Sequence, residues 1–539
     1  HLEKNLQDLF KGKYMGRFES EILPTYIATS RWFAGKAREI NRMKIKEILP
    51  IDVGSLSIMR ILIIDVVYNE GLPETYLLPI AYAPRESIKT ILDQHPQAVI
   101  AKVTLGTEEG ILYDAIYDVK LQRDLLNMIA KRRRIKGIRG ELIGAPREGL
   151  FSLIGSELGS IESHILKTEQ SNTSIVFQDR LILKLYRRIE EGINPELEIG
   201  DMLTRMQFPN IPALVGDLQY IERGSEAALI ATVERFVQNI GDAWMLAIDE
   251  VAKFCDRVRS NANKLVEEPA IPNLLKMVEG GIPSNIKELI DPTFLEMVSL
   301  LGKRTAEFHL TLIAEKRDPD FVPEPFSYLY RVSLSQSMIS YAKRILQLAS
   351  RAKKITGEVK NELDAIIRVQ DQIMAKFKTF QQTNMETLRT RIHGDYHLRQ
   401  VLWTGGDLVI IDFEGEPAHT LNQRRLKRSP IRDVAGMIRS FHYAAYAGLF
   451  AKSSLDPQET LKLEKWINYW YRAIASIFLH FYLSTVGDIG IVPRDKEEFK
   501  ILLNAFLLEK AIDELGYEMK NRPDWTIIPI KGIRDVLGL

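Results

Sequence analysis

The sequence predicts an α+β chain with a small strand-rich lobe and a large helical lobe, preceded by a further α+β domain. Three observations lead there. Runs rich in Ile, Leu and Val with turn residues between them are concentrated before residue ~240. Helical periodicity dominates after it. One short β-rich island, residues 400–413, interrupts the helical part. At 539 residues the chain also exceeds what one hydrophobic core usually serves.

In chain order, Ile58–Tyr68 and Thr75–Ile80 flank Asn69-Glu70-Gly71-Leu72-Pro73 and read as a hairpin. Four glycines and a proline between Gly137 and Gly149 mark a boundary, so residues 1–140 form a domain of their own. Residues 141–238 are strand-rich again, with Ser174–Phe177 and Leu181–Tyr186 on either side of Gln178-Asp179-Arg180. A helix then opens with Asn194 as N-cap and Pro195 at its first position. Residues 239–539 make up the helical lobe. No internal repeat or low-complexity tract is visible.

Composition narrows the function classes. Hydrophobic residues make up 45% and charged residues 27%, ordinary globular values. Seventy-two basic residues against 71 acidic ones leave +1, no field for gripping nucleic acid or an acidic membrane. The basic run Lys131–Arg134 reads as a solvated helix end. Cys255 is the only cysteine, which excludes an intramolecular disulfide or a cysteine-rich zinc site and fits a reducing compartment. The opening His1–Asn5 has neither the basic nor the apolar region of a signal peptide. It also lacks an initiator Met, as expected of a chain trimmed or cut from a longer polypeptide. Trp466–Val486 is the most membrane-like stretch, yet it carries Arg472 and His480 and reads as a buried helix.

The chemistry sits on the island. Asp395 and Gln400 precede the strand Val401-Leu402-Trp403, Thr404-Gly405-Gly406-Asp407 makes the turn, and Asp412 ends the second strand. A hairpin folds those ends together although the two aspartates lie 17 positions apart. Phosphoryl transfer needs a carboxylate at the attacking hydroxyl and oxygen ligands for magnesium between the phosphates. Asp395 suits the first role; Gln400 and Asp412 suit the second. The spacing matches the kinase catalytic loop, with Gln in place of Asn and Glu414 in place of the Gly after Asp-Phe. Glu414 leaves room for a second metal ion.

His393-Gly394-Asp395-Tyr396-His397 with Gln400, followed by Ile411-Asp412-Phe413-Glu414-Gly415-Glu416-Pro417, resembles the maltokinases of the aminoglycoside-phosphotransferase-like superfamily. Lys427–Met437, Ser30–Lys36 and Asn521–Trp525 are similar to the same family, so the likeness runs along nearly the whole chain. It implies a bilobal protein-kinase-like fold with an N-terminal cap, and ATP-dependent phosphorylation of maltose to maltose 1-phosphate. It also implies cytoplasmic glycogen or α-glucan metabolism, sometimes with fusion to a trehalose synthase. A kinase for glucosamine, another sugar or an aminoglycoside is the alternative. A non-catalytic pseudokinase would need a lost catalytic group, whereas Lys184, Asp395, Gln400 and Asp412 are all present.

For the nucleotide there is neither a Walker A sequence nor G-x-G-x-x-G. The candidate phosphate loop is Glu169-Gln170-Ser171-Asn172-Thr173-Ser174, ahead of Lys184, whose strand matches that of the kinase lysine. Glu198 or Glu196 would pair with Lys184, with Glu198 preferred; both also suit a helix N-terminus. Superfamily resemblance makes Val233–Val237, with Glu234 and Phe236, the adenine-reading hinge. For the acceptor, Lys510, Glu514 and Tyr517 fall on one helix face if Gly516 does not end the helix. Tyr443, Tyr446, Tyr469 and Tyr471 offer ring faces but also fit a core. His397 either orients the loop or touches the acceptor. Asp433 fits a structural pairing with Arg432.

Overall fold

Strands whose alternate residues are apolar on both phases must be covered on both faces, and the first sheet meets that condition. In the computed structural model, which describes residues 6–51, 59–155, 158–166, 171–261, 272–451 and 456–539, it comprises β1 (Ile40–Pro50), β2 (Met59–Tyr68), β3 (Glu74–Pro84), β4 (Val99–Leu105) and β5 (Glu108–Asp114). The order is β1-β2-β3-β5-β4, and the expected hairpin is the antiparallel β2–β3 pair. Ile58, Glu169, Gln170 and the opening His1–Asn5 lie outside the described residues.

Leu62, Ile64 and Val66 face a cluster with Phe18, Leu23 and Ile27 from the N-terminal helices and with Trp32 and Phe33 from the turn after them. Met59, Ile61 and Ile63 face the opposite cluster, shared with helix α1 (Val119–Ala130) and with a second sheet. The family-like segment Ser30–Lys36 therefore has a packing role. Trp32 and Phe33 are buried, and their rings lie 5.9 and 5.2 Å from that of Tyr76.

The second sheet contains β6 (Arg134–Lys136), β7 (Gly140–Pro146), β8 (Ser163–Ile165), β9 (Asn172–Phe177) and β10 (Leu181–Tyr186), with β11 (Arg188–Ile189) adding to β3 of the first. With β12 (Leu214–Glu222) and β13 (Ala227–Arg235) the order is β6-β7-β12-β13-β10-β9-β8. Gln178 and Asp179 in the β9–β10 turn take φ of 49° and 52°, the left-handed pair that tight hairpins use. Asn194 Oδ1 accepts the Glu196 N–H at 2.9 Å and opens helix α2 (Pro195–Arg205). The glycine-rich stretch at 137–149 forms the β6–β7 hairpin, and Lys131–Arg134 is exposed just past the end of α1.

Glu47 on β1, 2% exposed, ties the two sheets together. Its carboxylate accepts N–H groups of Ile48, Ile138, Arg139 and Gly140 at 2.7–3.0 Å, and the Tyr220 hydroxyl at 3.2 Å. A buried ion pair, Arg187 to Asp114 at 2.8 Å, makes a second tie. Both sheets belong to one compact unit, which runs to Thr204 and takes in Pro212–Gln238.

The other unit holds Arg205–Ile211 and everything from Asn239 onward. Its strands are short: β14 (Gly241–Asp242), β15 (Glu324–Pro325), β16 (Leu388–Arg389), β17 (Val401–Trp403) and β18 (Leu408–Ile410). They pair as β14-β17-β18 and β15-β16. Among its helices are α3 (Ala243–Ser260), α4 (Pro292–Ala314), α5 (Tyr328–Ser350), α6 (Ile431–Phe450), α7 (Pro457–Val486) and α8 (Lys496–Asn521). Trp466, Trp470, Ile474, Phe478 and Tyr482 repeat every fourth residue and bury one stripe of α7. No helix among the described residues is long and apolar enough to cross a membrane.

Candidate active site

The island folds as the hairpin the sequence implies, with shorter strands. Val401 pairs with Ile410 and Trp403 with Leu408, while Gln400 sits in the single 3₁₀ turn before β17. Arg304 on α4 grips the turn through two bonds to Asp407, 2.9 and 2.7 Å. Gln400 accepts the Ile411 N–H on its backbone carbonyl, and its side-chain Nε2 donates to Asp412 Oδ2 at 2.9 Å. The pairing thus brings together the amide and the carboxylate that the sequence separates by 12 positions. Asp412 itself takes φ +68°, a left-handed conformation that aspartate tolerates better than most residues.

Those two side chains offer hard oxygen donors of the kind magnesium takes. Among the described residues no group of three His, Cys, Asp or Glu could hold a metal ion. A magnesium shared with nucleotide phosphates needs only one or two carboxylates from the protein, so the donor set fits. Glu414 stands two residues beyond Asp412 and is half-buried.

Asp395 is positioned from behind. Asp433, at the start of α6, accepts the backbone N–H of His393 at 2.8 Å and of Gly394 at 3.0 Å. It also bonds His309 Nε2 at 3.0 Å, and His309 Nδ1 meets the Tyr482 hydroxyl at 3.0 Å. The simple pairing of Arg432 with Asp433 is corrected: Arg432 bonds Glu509 at 3.2 Å, and Asp433 holds the His393–Gly394 backbone. His393 is fully buried, its Nε2 at 3.0 Å from the Ile411 carbonyl; burial lowers its pKa and keeps the ring neutral. Gly436 lets α6 come close enough for this clamp. A Cβ there would lie 2.7 Å from the Tyr396 carbonyl oxygen.

Burial alone would raise the Asp395 pKa. The His397 ring, 3.7 Å away, and the Lys510 ammonium outweigh that and hold the carboxylate below its usual range. Asp395 opens onto a cavity of about 480 Å³ within the same unit. Lys510 lines it, 3.4 Å from Glu416 and 3.7 Å from Asp513. Burial would depress the ammonium, but Glu416, Asp395 and Asp513 raise its pKa, so it is charged. Burial raises the Glu416 pKa, against the pull of Lys510. Five carboxylates (Asp395, Glu416, Asp433, Glu509, Asp513) and five cations (Arg344, Arg424, Arg428, Arg432, Lys510) line the space, with Tyr341 donating to Asp513 at 2.6 Å. The lining is therefore balanced in charge.

Two acceptor candidates fall elsewhere. Helix α8 does run through Gly516, but Glu514 is turned to Arg439, with bonds of 2.6 and 3.0 Å. Tyr517 lies seven residues, ~10 Å of helix, beyond Lys510, and is 57% exposed. Tyr446, Tyr469 and Tyr471 are core residues. Sequence reasoning missed Glu416 and Asp513, although Glu416 lies in the family-like Glu414–Pro417 segment and Asp513 is one turn from Lys510.

In the N-terminal unit, Lys184 on β10 has its ammonium 3.8 Å from Glu196. Glu196, the acid ranked second from sequence, is buried at 3% exposure, and Glu198, the preferred one, is half-buried in the same first turn. Asn172, Thr173 and Ser174 are already part of β9, with Ser174 opposite Lys184, and only Ser171 lies ahead of the strand. Thr173 Oγ1 accepts from Arg187 Nε at 3.0 Å and faces the buried pair with Asp114. Glu234 is near the end of β13, and the Phe236 N–H bonds the Arg180 carbonyl at 2.9 Å.

Comparison with known proteins adds a matching cap family for part of the chain, and the fold. Residues 26–118 match the maltokinase N-terminal cap domain family. A glucosamine kinase of Streptacidiphilus jiangxiensis is 21% identical over 378 residues, 68% of this chain and 72% of that protein. One of Mycolicibacterium smegmatis is 22% identical over 392 residues, covering 72% and 82%. Among solved structures, a glucosamine kinase in crystal form B has a TM-score of 0.60 at 16% identity, covering 96% of this chain and 99% of the other. A glucosamine kinase in complex with glucosamine, ADP and inorganic phosphate has a TM-score of 0.58 at 16% identity, covering 95% and 98%. With a match to the maltokinase N-terminal cap domain family at residues 26–118 and the fold of the glucosamine kinase structures over nearly its full length, the chain is similar to maltokinase-like kinases.

Proposed function

We propose that the chain is an ATP-dependent sugar phosphotransferase whose acceptor is maltose and whose product is maltose 1-phosphate. The observation that carries the reading is Asp395, an ionised carboxylate opening onto a sugar-sized cavity beside Lys510. In this proposal Asp395 accepts the acceptor hydroxyl proton as the oxygen attacks the γ-phosphorus. Gln400 and Asp412 hold magnesium, with Glu414 serving a second ion. Magnesium bound there supplies charge neutralisation between the phosphates. Lys184, positioned by Glu196, meets the nucleotide phosphates, with Ser171–Ser174 beside it and Glu234–Phe236 at the adenine. His397 and Lys510 orient the acceptor. The division into residues 1–140, 141–238 and 239–539 belongs to the same proposal, as do a cytoplasmic setting in α-glucan metabolism and a tie to trehalose synthase.

The balanced lining and the matching cap favour a neutral disaccharide. Glucosamine is the second reading, favoured by the names of the relatives. An ATPase-coupled screen of maltose, glucose, trehalose, glucosamine and an aminoglycoside, with and without magnesium, decides between them. Maltose should turn over, and only with magnesium. Strong turnover of glucosamine with none of maltose would sink the maltose assignment.

A further inference from the structure

Outside the Asp395 cavity, the helical unit contains a larger one of about 780 Å³. Its walls come from β15–β16, the first turn of α5 and the first turn of α8. Ser327 caps α5 by accepting the Tyr330 N–H at 3.3 Å, and Asp495 caps α8 by accepting those of Glu497 and Glu498 at 2.9 and 3.0 Å. Two helix N-termini, each with a partial positive charge, thus border one space.

The second observation is Arg331. It lines the cavity at 4% exposure, and no carboxylate of the described residues forms an ion pair with it. Nη1 donates to the carbonyls of Phe326 at 3.1 Å and Met385 at 3.5 Å, and Nη2 to Asn384 Oδ1 at 3.4 Å, all neutral acceptors. The buried Nε–H has no partner. A guanidinium out of water normally has a paired counter-charge, and burial here lowers its pKa, with Tyr328 and Glu498 offsetting that only in part. Asp495 is engaged in capping, and Glu386 is exposed and screened by solvent. Arg494 adds a cation at the mouth, and Tyr328, 58% exposed, presents its ring with the Arg331 guanidinium 5.7 Å from the centroid.

We propose that this cavity is a second small-molecule site that binds an oxyanion, a phosphomonoester or a carboxylate, carried on a ring that stacks on Tyr328. Arg331 meets the anion as its missing counter-charge, and the two helix N-termini add N–H dipoles. The volume suits a ligand of sugar-phosphate size. Nothing in the acceptor reading requires this site, so the two stand or fall separately.

Isothermal titration of the full chain, without nucleotide, tests it with glucose 1-phosphate, gluconate and glucose as probes. Glucose 1-phosphate should bind saturably, with affinity reduced about tenfold or more in Arg331→Gln and measurably in Tyr328→Ala. Lys510→Met, which removes one cation of the other cavity beside Asp395, should leave it unchanged. Glucose should not compete. Binding of gluconate alone identifies the ligand as a carboxylate rather than a phosphomonoester and keeps the site. If Arg331→Gln does not fold, Arg494→Ala and Tyr328→Ala, both at exposed positions, carry the test. The proposal is overturned if no oxyanion binds at millimolar concentration. It is equally overturned if binding is lost in Lys510→Met and unchanged in the cavity variants.

Discussion

Asp395 and Asp412 lie 17 residues apart and close one hairpin, but they answer to different tests. Asp395→Asn keeps shape and removes the proton acceptor. Turnover should fall about 10²–10⁴-fold, while equilibrium titration shows nucleotide binding nearly unchanged. Near-normal turnover would remove Asp395 from the base role. Because its pKa is depressed, Asp395 is ionised through the neutral range, and protonation of this group should not limit turnover between pH 6 and 8. Asp412→Asn should instead raise the magnesium concentration needed for half-maximal activity. An unchanged metal dependence would refute its role as a ligand.

At the scale of elements, Glu47 accepts five hydrogen bonds, three of them from the β6–β7 hairpin and one from Tyr220 on β12, and so joins β1 to the second sheet. Glu47→Gln would turn an amide N–H₂ toward donors and cost roughly 1–3 kcal/mol, read as a lower midpoint in urea denaturation. Burial alone would raise the Glu47 pKa, but the N–H donors lower it below the ordinary carboxylate value. Its contribution is therefore complete above about pH 4.3 and lost as pH falls through the folded pKa, so wild type and variant should converge on acidification. Contacts of this kind explain what the sequence concealed. Gln400 and Asp412 could be paired from sequence because one local hairpin brings them together, with Asp395 just ahead of it. Glu47 meets partners 91 to 173 positions away, and Tyr341, Glu416 and Asp513 reach the cavity from three separate segments, with no local period to announce them. Glu196 and Glu198 both satisfy a helix N-terminus, so the sequence could not show that Glu196 lies 3.8 Å from the Lys184 ammonium.

At the scale of the whole molecule, residues matched to the cap family share one apolar cluster with the second sheet. Leu49, Ile61, Ile63 and Leu77 pack in the same cluster as Ile175, Phe177, Leu183 and Val233. Deleting residues 1–118 would uncover that cluster and strip Arg187 of Asp114, so the remainder should be recovered only as aggregate. A soluble fragment that melts cooperatively would show the cap to be an independent accessory. The closeness of α6 to the catalytic loop has a different reach. By helix propensity alone, Gly436→Ala is an improvement of ~1 kcal/mol. One methyl group there would nonetheless push against the Tyr396 carbonyl, one residue from Asp395. A search for more stable variants and a search for more active ones would therefore choose opposite residues at 436, because the clearance between helix and loop is a dimension of the candidate site held by a missing carbon atom.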